Sequence, residues 1–233
     1  MARRIALVTG AGVRVGEAIA RHLSRAGFDV AGHYRTHRPR RGLAAALQAD
    51  LAAADGPARL AAAFRERFDR LDLLVNSAAV FDALPLSATD AAAFDSQMDL
   101  NARAPLLLAR ALAPLLARSR GSIVNVVDVA GALVPWRGYA AYVASKAALA
   151  RITESLALEL APRVRVNAVA PGTILFPDAY PASRRRELTA RIPLRRSGDP
   201  SDVARTVLFL ADSPFVTGAI VPVDGGRHLA GRA

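Results

Sequence analysis

Short apolar runs of strand length alternate with longer stretches of helical period along nearly the whole of this chain. Strand candidates are residues 5–8, 30–33, 71–76, 122–127, 164–169 and 220–223, with a shorter one at 47–49. Amphipathic segments at 16–26, 57–69, 90–118, 139–160 and 200–211 fall between them. Strand, helix and next strand in repeated succession call for right-handed crossovers and a parallel sheet. The expected fold class is therefore α/β: a doubly wound parallel sheet of about seven strands with helices on both faces. No repeat, low-complexity stretch or linker divides the chain, so 1–233 is expected to be a single domain.

Two stretches break the alternation. Residues 34–49 hold Pro39, Gly42 and arginines at 35, 38, 40 and 41, so a helix there must be short or degenerate. Residues 171–198 contain Pro171, Pro177, Pro181 and Pro193, which reads as a long irregular loop. Long loops in compact domains are usually functional, and this one leaves the sixth strand where a substrate lid would sit.

Composition narrows the function classes. A hydrophobic fraction of 52% suits a globular core. No uncharged apolar run approaches the ~18 residues of a membrane span, and a strand at residue 5 leaves no room for a leader. Without cysteine there are no disulfides, thiolate metal ligands or cysteine nucleophile, and a cytoplasmic protein is expected. The formal charge of +11 raises nucleic acid as a partner. However, the arginines are spread along the chain without interleaved aromatic residues, and their densest clusters, 35–41 and 184–196, read as anionic-ligand sites or solvated faces. Neither a nucleic-acid nor a membrane partner is expected, and the histidines show no metal-ligand spacing.

The turn Thr9-Gly10-Ala-Gly12-Val-Arg14-Val-Gly16 follows the first strand and opens the first helix. Backbone N–H groups and a helix N-terminus at that point suit a dinucleotide pyrophosphate, which makes the fold Rossmann-type. The second strand runs out into Tyr34-Arg35-Thr36 with no acidic residue, whereas Asp29 stands at its beginning. A cation and hydroxyls at the correct end favour a 2′-phosphate, hence NADPH.

One residue is conspicuous in the composition. The chain carries 31 basic side chains and only one, Lys146, is lysine. Four positions before it stands Tyr142, and on a helix that spacing brings phenol and ammonium to one face.

With Gly10 to Gly16, Asn76-Ser-Ala78-Ala79, Asn101 and Tyr142-x-x-x-Lys146 in order, the chain resembles the short-chain dehydrogenase/reductases over nearly its full length. The resemblance implies that Tyr142 is the general acid, that Lys146 holds the nicotinamide ribose and lowers the phenol's pKa, and that Asn101 holds a relay water. It also implies cofactor contacts at Gly10, Arg14, Val15, Tyr34, Arg35, Thr36, Asp50, Leu51, Asn76, Ala78, Pro171, Gly172, Thr173 and Ile174. A homotetramer is expected on the same ground.

Where the family usually has Ser, this chain has Asp128, and Arg14 replaces a usual glycine. Those two changes, with Tyr34-Arg-Thr-His-Arg-Pro39, Ile174-Leu-Phe176, Phe215-Val-Thr-Gly218 and Asp224-Gly-Gly-Arg-His-Leu229, resemble the pteridine and dihydromonapterin reductases. In that branch Phe81 would stack a pterin on the nicotinamide, Arg14 would lie between phosphate and pterin, and Asp128 with Tyr142 would face the ring. The expected activity is NADPH-dependent reduction of a dihydropterin such as 7,8-dihydromonapterin, with dihydrofolate or dihydrobiopterin as further substrates. A 3-oxoacyl or other ketone reductase of the same fold is the alternative. A non-catalytic NADP-binding or nucleic-acid-associated protein comes last, because Tyr142, Lys146 and Asn101 are all present.

Overall fold

A computed structural model describes residues 3–40, 42–177 and 179–230. The extreme ends of the expected domain, Arg41 of the first arginine cluster and Asp178 of the expected lid lie outside the described residues. The strands are β1 (Arg4–Val8), β2 (Phe28–Tyr34), β3 (Ala45–Gln48), β4 (Leu73–Asn76), β5 (Ser122–Val126), β6 (Arg165–Pro171) and β7 (Ile220–Val223). They form one parallel sheet in the order β3-β2-β1-β4-β5-β6-β7. The helices are α1 (Arg14–Arg25), α2 (Gly56–Arg65), α3 (Ala91–Met98), α4 (Ala104–Ser119), α5 (Val129–Ala132), α6 (Ala140–Leu160), α7 (Ala182–Ala190), α8 (Pro200–Asp212) and α9 (Arg227–Ala230).

The period-2 alternation of buried strands assigns each apolar residue to one face. Ala6, Val8, Leu73, Val75 and Val124 meet Ile19 and Leu23 of α1 and Val203, Val207 and Leu210 of α8. Leu7, Leu74 and Ile123 point the other way, onto Leu60 and Phe64 of α2, Leu108, Leu112 and Leu116 of α4, and Leu156 of α6. Full burial of each such side chain is worth about 1.5–3 kcal/mol, so the two layers fix the sheet rigidly between helices.

Three elements depart from the periodicity. Among the described residues no helix joins β2 to β3, because Pro39 and Gly42 interrupt the segment and Pro39 is buried. The single helix expected at 90–118 is divided by a π-turn, Asp99–Arg103, whose extra residue turns Asn101 into the interior. The helical run Ala91–Ser119 is long and apolar enough by length and composition to cross a membrane, but half of its most apolar window is buried in this domain. Residues 171–198, expected to be irregular, contain α7. That helix buries only Leu188, so it carries almost no apolar stripe for a periodicity argument to detect. Its Glu187 instead pairs with Arg184 and Arg191, three and four residues away.

Strand order reverses between β1 and β4, and at such a switch point the connections diverge and leave a crevice at the C-terminal strand ends. A cavity of about 1110 Å³ opens there.

Candidate active site

Gly10 and Arg14 occupy the left-handed region, with φ of +69° and +53°, so the turn after β1 is sharp. The turn is held from two sides. The Thr9 hydroxyl accepts from the Ser77 and Ala78 N–H groups after β4 (2.9 and 3.0 Å). On the other side, Gly10 N–H donates to His33 Nδ1 (3.2 Å) and Ala11 N–H donates to the His33 carbonyl (2.9 Å). With Nδ1 accepting, the imidazole is the neutral Nε2–H tautomer, and Nε2 donates to the Ala49 carbonyl (3.1 Å). Burial pushes the His33 pKa down and keeps the ring neutral. His33 therefore ties the glycine turn to the exit of β3. Nothing in the sequence marked this role, since it depends on contacts with residues 23 and 16 positions away.

A Cβ on Gly12 would lie 1.7 Å from the His37 carbonyl oxygen, and one on Gly16 would lie 2.1 Å from that of Gly10. The turn thus approaches its neighbours to backbone contact and offers a cradle that no side chain fills. Those residues fit a pyrophosphate at the start of α1. Val15, Tyr34, Arg35, Thr36, Asp50, Leu51, Ala78, Pro171, Gly172, Thr173 and Ile174 all line the same cavity, as Gly10 and Arg14 do. Asp29, at the far end of β2, is paired with Arg3 (3.0 Å). The Arg35 guanidinium has no carboxylate partner among the described residues. That leaves the β2 end cationic.

Asn76 and Asn101 do not line the cavity. Asn76 donates to Asn125 Oδ1 (2.8 Å) behind the sheet ends, and its own Oδ1 is buried without a hydrogen-bond partner. Asn101 accepts from Val80 N–H (3.0 Å) and donates to the Val80 carbonyl and to Ser145 Oγ (both 3.0 Å). Its amide hydrogens are spent on the protein, so in this structure it clamps the loop bearing Phe81.

At the end of β5, Asp128 caps α5 by accepting from Ala130 N–H (2.8 Å). Its second oxygen accepts the Tyr142 hydroxyl proton at 2.8 Å. Lys146, one helical turn on, is buried and donates from Nζ to the Val126 carbonyl (2.9 Å). Burial lifts the Asp128 pKa to about 6, against the lowering effect of its Ala130 and Tyr142 hydrogen bonds and of Lys146 and Arg227. Burial lowers Lys146 to about 8.

The expected depression of the Tyr142 pKa is not found. Burial, and then the adjacent Asp128 carboxylate, push the phenol well above its ordinary value. Nζ lies 5.9 Å from the ring centroid, whereas the carboxylate touches the hydroxyl, so the nearer charge adds to the effect of burial. The phenol stays protonated at neutral pH and is poised to donate.

Around this centre the walls are aromatic. Phe81, half exposed, stacks on Tyr139 (centroids 5.0 Å apart) and meets Tyr142 edge-on (4.7 Å). Trp136 lies edge-on to Tyr139 (5.9 Å). Arg227, at the start of α9, covers Trp136 at 4.8 Å and donates to Thr173 Oγ1. Arg227 was not identifiable as a site residue, because its place depends on the chain end returning across the mouth of the cavity. Among the described residues no cluster of His, Asp and Glu gathers as a metal site.

Lys146→Arg is expected to fail in this socket. Gly131, packed at the same helix, already approaches so closely that a Cβ there would lie 3.0 Å from Lys146 Cβ. We expect a stability loss of about 1–3 kcal/mol from overpacking, measured by denaturant unfolding, and a larger proportional loss of turnover. An arginine variant with full stability and activity would show that the site needs only a positive charge.

Residues 10–228 match the family model described as Enoyl-(Acyl carrier protein) reductase. An uncharacterized oxidoreductase of Mycobacterium tuberculosis is 36% identical, with 96% of this chain and 91% of the relative covered. A 3-oxoacyl-[acyl-carrier-protein] reductase of Staphylococcus aureus is 34% identical over 96% of this chain and 98% of its own. A crystal structure from Sinorhizobium meliloti, provisionally designated a short-chain alcohol dehydrogenase, superposes with a TM-score of 0.88 at 31% identity, covering 97% of both chains. With the sheet order, the glycine turn and the Tyr142/Lys146 helix already in place, the chain belongs to the short-chain dehydrogenase/reductase family, and it is an oxidoreductase.

Proposed function

We propose that the protein is an NADPH-dependent reductase of dihydropterins, 7,8-dihydromonapterin being the type substrate. The observation that carries this reading is the part-buried 2.8 Å contact between the Tyr142 hydroxyl and Asp128, where the family pattern has serine. A serine hydroxyl can donate to a ketone oxygen; a carboxylate only repels one. A pterin presents a C=N bond and a donor-rich amino-pyrimidinone edge, to which a carboxylate is complementary.

NADPH, when bound, supplies the hydride that reaches C6 of the dihydropterin. Tyr142 delivers the proton to N5, and Asp128 holds the hydroxyl in line and takes part in its reprotonation. Lys146 fixes the cofactor ribose, Arg35 and Thr36 take the 2′-phosphate, and Phe81 gives the ring a flat wall. Orientation between two rings then contributes much of the acceleration. Cofactor oxidation measured with a panel of dihydropterins and of ketones tests the proposal. Turnover of ketones alone would overturn it.

A 3-oxoacyl reductase is the second reading, favoured by the name and the 34% identity of the Staphylococcus aureus relative. A homotetramer is also proposed, since Leu158 on α6 and Phe209 and Phe215 at and beyond α8 are exposed apolar groups that assembly would cover. Sedimentation velocity reads that out.

A further inference from the structure

We infer that the outer end of the cavity is a subsite for an anionic tail, carboxylate or phosphate, with Arg227 as its specificity-determining anchor. The inference deepens the reductase reading, because a tail held here leaves the reacting ring beside Tyr142.

Charge is unevenly distributed along the cavity. Asp50 and Asp128 are the carboxylates among its described lining residues, one at the adenosine end and one at the floor. Beside them the lining includes the guanidiniums of Arg137, Arg184, Arg191 and Arg227. A single carboxylate, Glu187, serves both Arg184 (2.6 Å) and Arg191 (2.7 Å), which leaves that pair with a net positive charge. Arg227 feels both of them as repelling neighbours, so the three cations share one region.

Arg227 has the build of a binding group. It is half buried, its guanidinium lies over the Trp136 ring at 4.8 Å, and one nitrogen donates to Thr173 Oγ1. A guanidinium placed over an indole with one nitrogen bonded to a hydroxyl has further N–H groups to offer a bidentate acceptor. Asp128 and Asp224 are the acidic groups near it, but Asp224 is satisfied by His228 and by the Gly226 and His228 N–H groups, and Asp128 by Tyr142 and Ala130. The cation is thus oriented by protein contacts that leave its charge available. An electroneutral substrate tail makes no use of this arrangement; an anionic one does.

Trp136 is the sole tryptophan and lies directly under Arg227, so its fluorescence reports on the subsite without any turnover. The full-length protein saturated with NADPH is titrated with N-benzoyl-L-glutamate and with phenyl phosphate, each against its neutral ester. We expect at least one anion to half-saturate the signal at a concentration about tenfold lower than its ester, with added salt weakening the anion alone. Whichever anion does so identifies the tail as carboxylate or phosphate. Arg227→Gln should shrink the preference to less than about threefold, and Arg191→Gln, at an exposed position, should reduce it partly. Equal binding of anion and ester, a signal that neither moves, or a preference that survives Arg227→Gln would overturn the subsite. Anion preference without dihydropterin turnover keeps the subsite and removes the pterin reading; dihydropterin turnover without anion preference does the reverse.

Discussion

Tyr142→Phe should lower turnover by about 10³-fold while leaving the NADPH dissociation constant and the substrate KM nearly unchanged, as loss of a positioned general acid predicts. The phenol is buried and its hydroxyl donates to Asp128 at 2.8 Å, so the proton is offered from a fixed position. The fold should tolerate the change. Asp128 keeps its Ala130 N–H bond, and Phe81 and Tyr139 still pack against the ring. Stopped-flow hydride transfer, with cofactor affinity from fluorescence titration, separates the two quantities. A phenylalanine variant retaining a tenth of the wild-type rate would assign proton delivery to another group. Asp128 itself would then be next in line, because its pKa of about 6 lets it carry a proton near neutrality.

Replacing Asp128 splits activity from stability. Asp128→Ser is expected to cut dihydropterin turnover by about 10²-fold or more and to leave any ketone turnover equal or improved, since serine restores a donor. Ketone activity falling in parallel with pterin activity would argue that Asp128 serves only as the cap of α5. Stability should move the other way with Asp128→Asn. Burial raises the folded-state pKa from 3.8 to about 6, so between those values the native state holds a proton that the unfolded chain releases. The carboxyl's favourable contribution is therefore complete below about pH 3.8 and is lost as pH rises through about 6. At pH 8 the asparagine variant should be more stable by on the order of 2–3 kcal/mol, and near pH 4 it should equal the wild type. Urea unfolding at the two pH values measures this. A gap of the same size at both would place the effect in packing.

The strands, most helices and the glycine turn at the cavity were legible because they rest on local properties. Short continuous apolar runs marked the strands, and the turn glycines at 10, 12 and 16 have a fixed steric meaning. The elements that escaped lack a local signature. The helix at Ala182–Ala190 is held by ion pairs rather than by an apolar stripe, and the π-turn at Asp99–Arg103 is one inserted residue within an otherwise helical period.

The sequence by itself determined the doubly wound parallel sheet, the position of the glycine turn and the Tyr142/Lys146 pair, because each follows from local pattern and spacing. Only the tertiary structure decided the chemistry of that pair. It buried the phenol and set Asp128 against it, and both effects raise the Tyr142 pKa, where the spacing to Lys146 had pointed to a lowering. It also closed His33 onto the glycine turn, turned Asn101 inward, and returned Arg227 over Trp136. Those outcomes depend on distances between segments far apart in the chain, and on how much water their packing removes. Neither quantity is written in the order of the residues.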